Sequence, residues 1–354
     1  MIEVFKKYYQ KEKELLNKKI NNYNENLVKE NNPLLKYNLD LFSKLNTNGK
    51  LIRGVLVNLG YFLLKDNNEY SNDLALAYEI FQTGILVHDD IIDKDEKRRG
   101  VNTIHYENYN KYKSYNSEEA KHLSNSIAIC MGDLGLYEAN RIISTSYKDD
   151  PNLSKVLINF NDTVLNTIKG EILDVILPFE SKNIGIDNDL LEESIMDIYR
   201  LKTSHYTIIG PLSVGLILAG SDESKLKDIS SFGEKVGIAF QIQDDILGIF
   251  SDEMGKVVGS DIKEFKQTIL YSYVYGTKYK NDLLKYYGKD NLDSETIKKV
   301  REIFEESGAL KYSVDLMNKY YDEALKDLDS ISWIDKDKKE ILQGFVDYLR
   351  ERVK

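Results

Sequence analysis

Two pairs of adjacent aspartates, far apart in the chain, are the residues best suited to do chemistry. The first stands in His88-Asp89-Asp90-Ile91-Ile92-Asp93 and is trailed by Arg98-Arg99-Gly100. Apolar residues at three- and four-residue steps (Leu74, Ala77, Tyr78, Phe81, Ile85) lead into it and predict a helix. On that helix Asp89 and Asp93 are one turn apart and project from one face. Carboxylates so placed repel each other unless a cation lies between them, and an oxygen-only donor set suits magnesium. Taken alone the motif could be a solvated acidic helix end, although acidic groups at a helix C-terminus oppose its dipole. The second pair stands in Gln241-Ile242-Gln243-Asp244-Asp245-Ile246-Leu247-Gly248 and also closes an apolar helical stretch. Asp244 and Asp245 are neighbours that point about 100° apart. Asp252 follows about two turns beyond Asp244 if the helix runs that far. Two such pairs are hard to explain as separate surface decoration. Facing each other across a bundle, they would need metal or strong compensation for lost solvation.

Cations accompany both motifs. Lys50 and Arg53 lie three apart in Asn48-Gly49-Lys50-Leu51-Ile52-Arg53, opening a helical stretch after a glycine turn. Arg98, Arg99, Lys202 (followed by Thr203), Lys256 and Lys266 stand near other motif ends. Any one of them singly reads as a solvated surface side chain. Together, in a chain of formal charge −10, they suggest a polyanion held partly by Lys and Arg and partly by metal. The same negative charge argues against nucleic acid or an anionic membrane as the main partner. Cys130 is the only cysteine, which excludes an intrachain disulfide and a Cys-rich zinc site. The start lacks an apolar signal core, and the apolar stretch Thr207–Leu218 is interrupted by Gly210, Pro211, Ser213 and Gly215. The expectation is a soluble, cytoplasmic protein with no stable membrane insertion.

The elements that must position these residues read as helices from end to end. Ile127–Ile143, Leu190–Leu218, Ile229–Ile249, Ile262–Tyr275 and Thr296–Leu328 all carry helical spacing, and only 4 prolines interrupt 354 residues. Turn-rich breaks fall at Asn46–Gly49, Lys65–Asn72, Glu107–Glu118, Lys148–Pro151, Glu180–Asp189 and Tyr287–Asp293. None is long enough to be an interdomain linker, and no solenoid period repeats. The fold class is all-α: one domain over 1–354, a single large helical bundle around a shared apolar centre. Residues up to about 30 form a peripheral N-terminal helix with a frayed start.

At these residues the chain resembles the trans-isoprenyl diphosphate synthases, the polyprenyl synthetase family. The matching segments occur in order: Gly49-Lys50-x-x-Arg53, Asp89-Asp90-x-x-Asp93 with Arg98-Arg99-Gly100, Lys202-Thr203, Gln241-x-x-Asp244-Asp245, Gly255-Lys256, and Gly259-Ser260-Asp261-Ile262-Lys263-Glu264-x-Lys266. The resemblance implies an isoprenoid-synthase bundle with a central apolar cavity, acting as a homodimer. It implies Mg2+ held by Asp89, Asp93 and Asp244 against an allylic diphosphate (dimethylallyl, geranyl or farnesyl). Arg98, Lys202 and Lys256 would bind that diphosphate. Lys50, Arg53, Gln82 and Arg99 would bind isopentenyl diphosphate. Lys266 would help close the site, and Thr203 and Gln241 would face the developing carbocation. That chemistry needs no side-chain nucleophile, and no Ser/His/Asp or Cys/His signature is recognisable. Two departures stand out. Gly248 replaces a third aspartate of the second motif, which places the weight on Asp244 and Asp245. Phe265 replaces a residue that is usually small.

Side chains one turn before the first acidic motif would floor the pocket for the growing chain: Gly84 and Ile85, with Phe81 a turn deeper. A missing side chain at Gly84 would open the floor and favour geranylgeranyl diphosphate; a farnesyl or longer product is the alternative. Phe81 could be the stop or ordinary core. A terpene cyclase normally lacks a second diphosphate site, so Lys50, Arg53 and Gln82 speak against it. A non-catalytic partner subunit would have lost acidic residues that are present here. A His-Asp phosphohydrolase needs a histidine upstream of His88, and none precedes it. No glycine-rich phosphate loop follows a strand.

Overall fold

The computed structural model describes residues 1–47, 49–251, 259–289 and 292–351, and within these the chain is helical almost throughout. The first helices are α1 (Ile2–Leu27), α2 (Pro33–Asn46), α3 (Ile52–Phe62), α4 (Asn72–Ile92), α5 (Ile104–Tyr112), α6 (Ser117–Ser146) and α7 (Leu153–Asn183). Next come α8 (Asn188–Ile198), α9 (Gly210–Leu218), α10 (Glu223–Phe250), α11 (Ser260–Lys263) and α12 (Ile269–Tyr275). The last are α13 (Lys280–Leu283), α14 (Ser294–Glu306), α15 (Ala309–Ser330) and α16 (Lys336–Arg350). A π-helical segment, Tyr199–Ile209, joins α8 to α9. Among the described residues the only strands are β1 (Lys97–Arg98) and β2 (Val101–Asn102), an antiparallel ribbon pairing Arg98 with Val101.

Local sequence sets several helix starts. The Asn32 side chain accepts from the N–H groups of Leu34 and Leu35, with Pro33 at the first helical position. Asn116, Asp187, Asp222, Thr268 and Asp293 cap α6, α8, α10, α12 and α14 in the same manner. Two stretches that read as single helices are divided. Ile262–Tyr275 breaks between α11 and α12, where Phe265 has φ 58°. Thr296–Leu328 breaks at Gly308, φ 86°, between α14 and α15. Apolar spacing persists across such breaks because both flanking helices bury side chains in the same core, so periodicity alone does not mark them.

The residues group into two compact units. One comprises Lys7–Ile158 and Val214–Ser221. Its centre is α4 lying along α6. The other comprises Met1–Lys6, Asn159–Ser213 and Asp222–Lys354, with α10 packed on the π segment and on α15. The N-terminal helix is mostly solvent-facing and is held by one buried row that begins in its first turn. Phe5 is fully buried, its ring 5.2 Å from that of Phe345 and 5.4 Å from that of Tyr348. Further along α1, Leu16, Ile20 and Glu12 are buried, and Glu12 accepts from the Asn58 amide at 2.9 Å. A fully buried phenylalanine is worth about 1.5–3 kcal/mol in transfer alone, which a frayed attachment would forgo. No helix among the described residues is long and apolar enough to cross a membrane.

Candidate active site

The first acidic motif is positioned by the last turn of α4 and the ribbon that follows. The Asp93 N–H donates to the Asp89 carbonyl at 2.8 Å, so the helical turn is completed and the two aspartates lie one turn apart, as their spacing predicts. The ribbon then reverses at Arg99 (φ 53°) and Gly100 (φ 82°). Both central residues are left-handed, as the tightest hairpin loop requires. The reversal sends two adjacent arginines to different places. Arg98 returns to the acidic motif, its Nε 2.6 Å from Asp90 Oδ1 and its Nη2 3.2 Å from Asp89 Oδ2 and 2.9 Å from Asp95 Oδ2. Burial pushes the Asp90 carboxyl up to about 7, with Arg98 opposing the shift. Asp90 and Asp95 seat Arg98, a role the sequence reading leaves out. His88 is engaged elsewhere: its Nε2 lies 3.1 Å from the Ile129 carbonyl, on α6.

Arg99 turns the other way, donating from Nη1 to the Leu45 carbonyl at 2.6 Å. With its amide nitrogen donating to Glu79 Oε2 (2.9 Å), Gln82 accepts from Arg99 Nη2 (3.1 Å) and Arg53 Nη1 (2.9 Å). Three of the four residues expected to share one diphosphate therefore converge. Lys50, the fourth, has its carbonyl held by the Tyr9 hydroxyl, beside Gly49, whose Cα faces the Arg99 guanidinium. Glu79, which no sequence motif marks, organises the group. It is buried, accepts from the Gly54 N–H at 2.7 Å, and has its pKa raised by burial against the pull of that N–H and of Arg99 and Arg53. Its place three residues before Gln82 on α4 was the available signal.

In the other unit the π segment carries Lys202 and Thr203; such segments recur at functional sites because they re-aim side chains. Lys202 Nζ lies 2.7 Å from both Glu171 and Asp174 of α7, acids three residues apart that the sequence reading passed over. The Thr203 hydroxyl donates to Gln241 Oε1 at 2.5 Å, and Gln241 Nε2 donates to Asp245 Oδ1 at 2.8 Å. The Tyr199 hydroxyl donates to the other Asp245 oxygen and accepts from the Ile269 N–H at 3.0 Å. Burial pushes the Asp245 carboxyl up to about 8, against the Tyr199 hydrogen bond. Asp244 adjoins it on α10.

A Cβ on Gly248 would stand 2.4 Å from Asp261 Oδ2. The missing side chain of the second motif thus makes room for a carboxylate brought by α11. The Lys266 N–H donates to the Asp261 carbonyl at 2.9 Å, and its Nζ is 3.8 Å from Glu264. Asp252, Gly255 and Lys256 lie outside the described residues.

The expected pocket floor needs correction. A Cβ on Gly84 would lie 2.8 Å from the Gly132 carbonyl oxygen and 3.1 Å from Gly135 Cα, and one on Gly135 would lie 2.7 Å from Gly84 Cα. Gly84 opens no floor. It lets α4 and α6 approach backbone to backbone. Phe81 is fully buried, edge-on to Tyr78 at 6.1 Å, and Ile85 is partly buried.

The donors around the first motif are carboxylate oxygens, a hard set that fits magnesium. Among the described residues no three acidic, histidine or cysteine side chains close into a cage of their own.

Residues 36–304 match the polyprenyl synthetase family. The chain is 30% identical over 291 residues to the geranylgeranyl diphosphate synthase of Sulfolobus acidocaldarius, covering 80% of this chain and 81% of that one. It is 29% identical over 289 residues to the geranylfarnesyl diphosphate synthase of Aeropyrum pernix, covering 79% and 82%. Its fold is similar to the crystal structure of a geranylgeranyl pyrophosphate synthase from Corynebacterium glutamicum complexed with isoprenyl diphosphate and magnesium. There the TM-score is 0.86 at 24% identity, over 98% of this chain and 99% of that one.

Proposed function

The chain belongs to the polyprenyl synthetase family and is a prenyltransferase, and on that premise we propose that it joins isopentenyl diphosphate to an allylic diphosphate and releases diphosphate. The observation that carries the two-substrate reading is the parting of Arg98 and Arg99. One enters the cluster of Asp89, Asp90 and Asp95, the other the cluster of Arg53, Gln82 and Glu79. Two anionic substrates need two such clusters, whereas a cyclase needs one.

Magnesium is assigned to Asp89, Asp93 and Asp244; when bound it supplies charge neutralisation for the diphosphate that departs as the allylic C–O bond ionises. Arg98, Lys202 and Lys256 bind the allylic diphosphate, and Lys266 helps close over it. Lys50, Arg53, Gln82 and Arg99 hold isopentenyl diphosphate through charge-assisted hydrogen bonds. Thr203 and Gln241 face the allylic cation. The Thr203 proton is directed to Gln241, so the hydroxyl's remaining lone pairs can face positive charge. The alkene of isopentenyl diphosphate attacks that cation, and the proton lost in closing the new double bond passes to the released diphosphate.

We assign geranylgeranyl diphosphate as the main product on the strength of the Sulfolobus relative, with Phe81 as the side chain that limits growth. The Aeropyrum relative makes a longer product the alternative. We further propose a cytoplasmic homodimer. Leu165, Ile168, Ile172, Val175 and Phe179 of α7 are exposed at helical spacing, an apolar stripe suited to a second copy.

Arg53→Ala tests the allocation. A hydrogen bond to a charged group is worth about 1.5–3 kcal/mol, so KM for isopentenyl diphosphate should rise about tenfold to a hundredfold. KM for the allylic substrate should stay within about twofold, a change of under 0.5 kcal/mol. An equal rise for both would overturn the two-cluster reading and favour a single-substrate cyclase.

A further inference from the structure

The segment from Gly259 to Thr268 holds one of only four non-glycine residues at positive φ among the described residues, and it is an unlikely one. Phe265 has φ 58°. The Phe265 N–H donates to the Ile262 carbonyl at 3.3 Å and the Lys266 N–H to the Asp261 carbonyl at 2.9 Å. These paired bonds are the helix-ending motif in which the left-handed position is ordinarily glycine or asparagine. A bulky side chain persists there only when its surroundings over-determine the conformation, and such residues gather at functional sites.

The surroundings of Phe265 do so. Its ring is buried, 5.5 Å from that of Tyr271 and 5.7 Å from that of Tyr287, at 68° and 66° respectively. Behind it lies Gly288, where a Cβ would stand 2.8 Å from Phe265 Cδ2 and whose own N–H donates to the Ile262 carbonyl at 2.8 Å. The Gln267 amide donates to the Phe265 carbonyl at 3.0 Å. Ring and backbone are thus clamped from both sides. What leaves the clamp is Lys266, tied at its N–H to Asp261, the residue whose carboxylate fills the space left by Gly248.

We propose that Phe265 is a positioning residue for the reaction: its ring, clasped by Tyr271 and Tyr287, holds the left-handed turn that presents Lys266 to the substrate diphosphate. The inference rests on the role assigned to Lys266 above. Phe265 itself touches no substrate and acts through Lys266.

Alanine and glycine at position 265 separate this from ordinary core packing. Both remove the ring. Only glycine adopts the left-handed turn without being held there. A residue that only packs makes glycine no better than alanine, since both leave the same cavity and glycine is the more flexible.

The experiment measures steady-state kinetics for the allylic diphosphate on the wild type, Phe265→Ala, Phe265→Gly, Lys266→Ala and the two double variants, each checked for folding by circular dichroism. Losing one charged hydrogen bond predicts an allylic KM about tenfold higher for Phe265→Ala, and Phe265→Gly within about threefold of wild type. In the Lys266→Ala background the difference between alanine and glycine should vanish, since a residue acting through Lys266 has nothing left to position. Where the alanine variant does not fold, Phe265→Leu takes its place, keeping the apolar bulk and the backbone strain without the ring. Phe265→Gly as impaired as Phe265→Ala, or a glycine advantage that survives Lys266→Ala, overturns the inference while leaving the assigned function intact. Lys266→Ala with wild-type kinetics overturns it too, by removing the assigned role of Lys266 on which it rests.

Discussion

Gly84→Ala is the perturbation whose outcome the structure inverts. Helix propensity alone makes the change favourable by about 0.5–1 kcal/mol. The crossing of α4 and α6 decides otherwise. The added carbon would meet the Gly132 carbonyl oxygen at 2.8 Å, Gly135 Cα at 3.1 Å and the Leu136 nitrogen at 3.1 Å, all main-chain atoms that no rotamer change can move. Ordinary contact begins at about 3.4 Å, so the helices must part by about 0.6 Å. Overpacking of this kind costs about 1–3 kcal/mol, which outweighs the propensity gain. The net loss of about 1–2 kcal/mol corresponds to a Tm lower by roughly 1–3 °C in a chain of this size. Asp89 lies five residues further along the same helix and Asp93 caps its end, and small misplacements of binding groups are costly, so kcat should fall about tenfold. Thermal melts, single-substrate kinetics and product sizing on the purified variant check this. Product length should not change. A variant that melts higher than wild type and makes a shorter product would refute the packing argument and restore Gly84 to the pocket floor.

Two further outcomes follow from the same helix. Asp89→Ala should lower kcat by at least about a hundredfold, a loss of some 3 kcal/mol of transition-state stabilisation; the apo protein should lose about 1 kcal/mol or less, since the residue is only partly buried. Melting and turnover falling in proportion would assign Asp89 a structural role. Phe81→Ala should lengthen the main product if Phe81 limits growth, at a folding cost of about 3–5 kcal/mol for a buried phenylalanine. A folded variant with an unchanged product would move the limit to another side chain.

Much of the candidate site's geometry was legible because it follows from residue type and local spacing. Asp89 and Asp93 needed only the helical repeat, and Lys50-x-x-Arg53 and Arg98-Arg99 only their order along the chain. The residues that seat those groups were not legible. Asp90, Glu171 and Asp174 each hold a cation, and Glu79 the Gly54 N–H; each partner depends on how the chain returns on itself, and nothing in a charged side chain announces it. Gly248 shows the limit best. In sequence it is a lost carboxylate; in the structure it is the space that admits Asp261. Gly84 shows the converse: an absent side chain read as an opening is a point of contact between two backbones. The helices themselves were legible from apolar spacing, but the breaks at Phe265 and Gly308 were not, since the left-handed residue that ends each helix leaves the apolar pattern unbroken.

The central claim is that one active site joins two different diphosphates with the help of a divalent ion. It is tested by incubating the purified protein with magnesium, labelled isopentenyl diphosphate and, in separate reactions, dimethylallyl, geranyl or farnesyl diphosphate, then sizing the dephosphorylated products, with EDTA in a parallel series. Labelled product longer than the allylic substrate by whole five-carbon steps, abolished by EDTA and restored by added magnesium, is the expected result. Allylic diphosphate consumed without incorporation of label, or elongation that persists in EDTA, would contradict it.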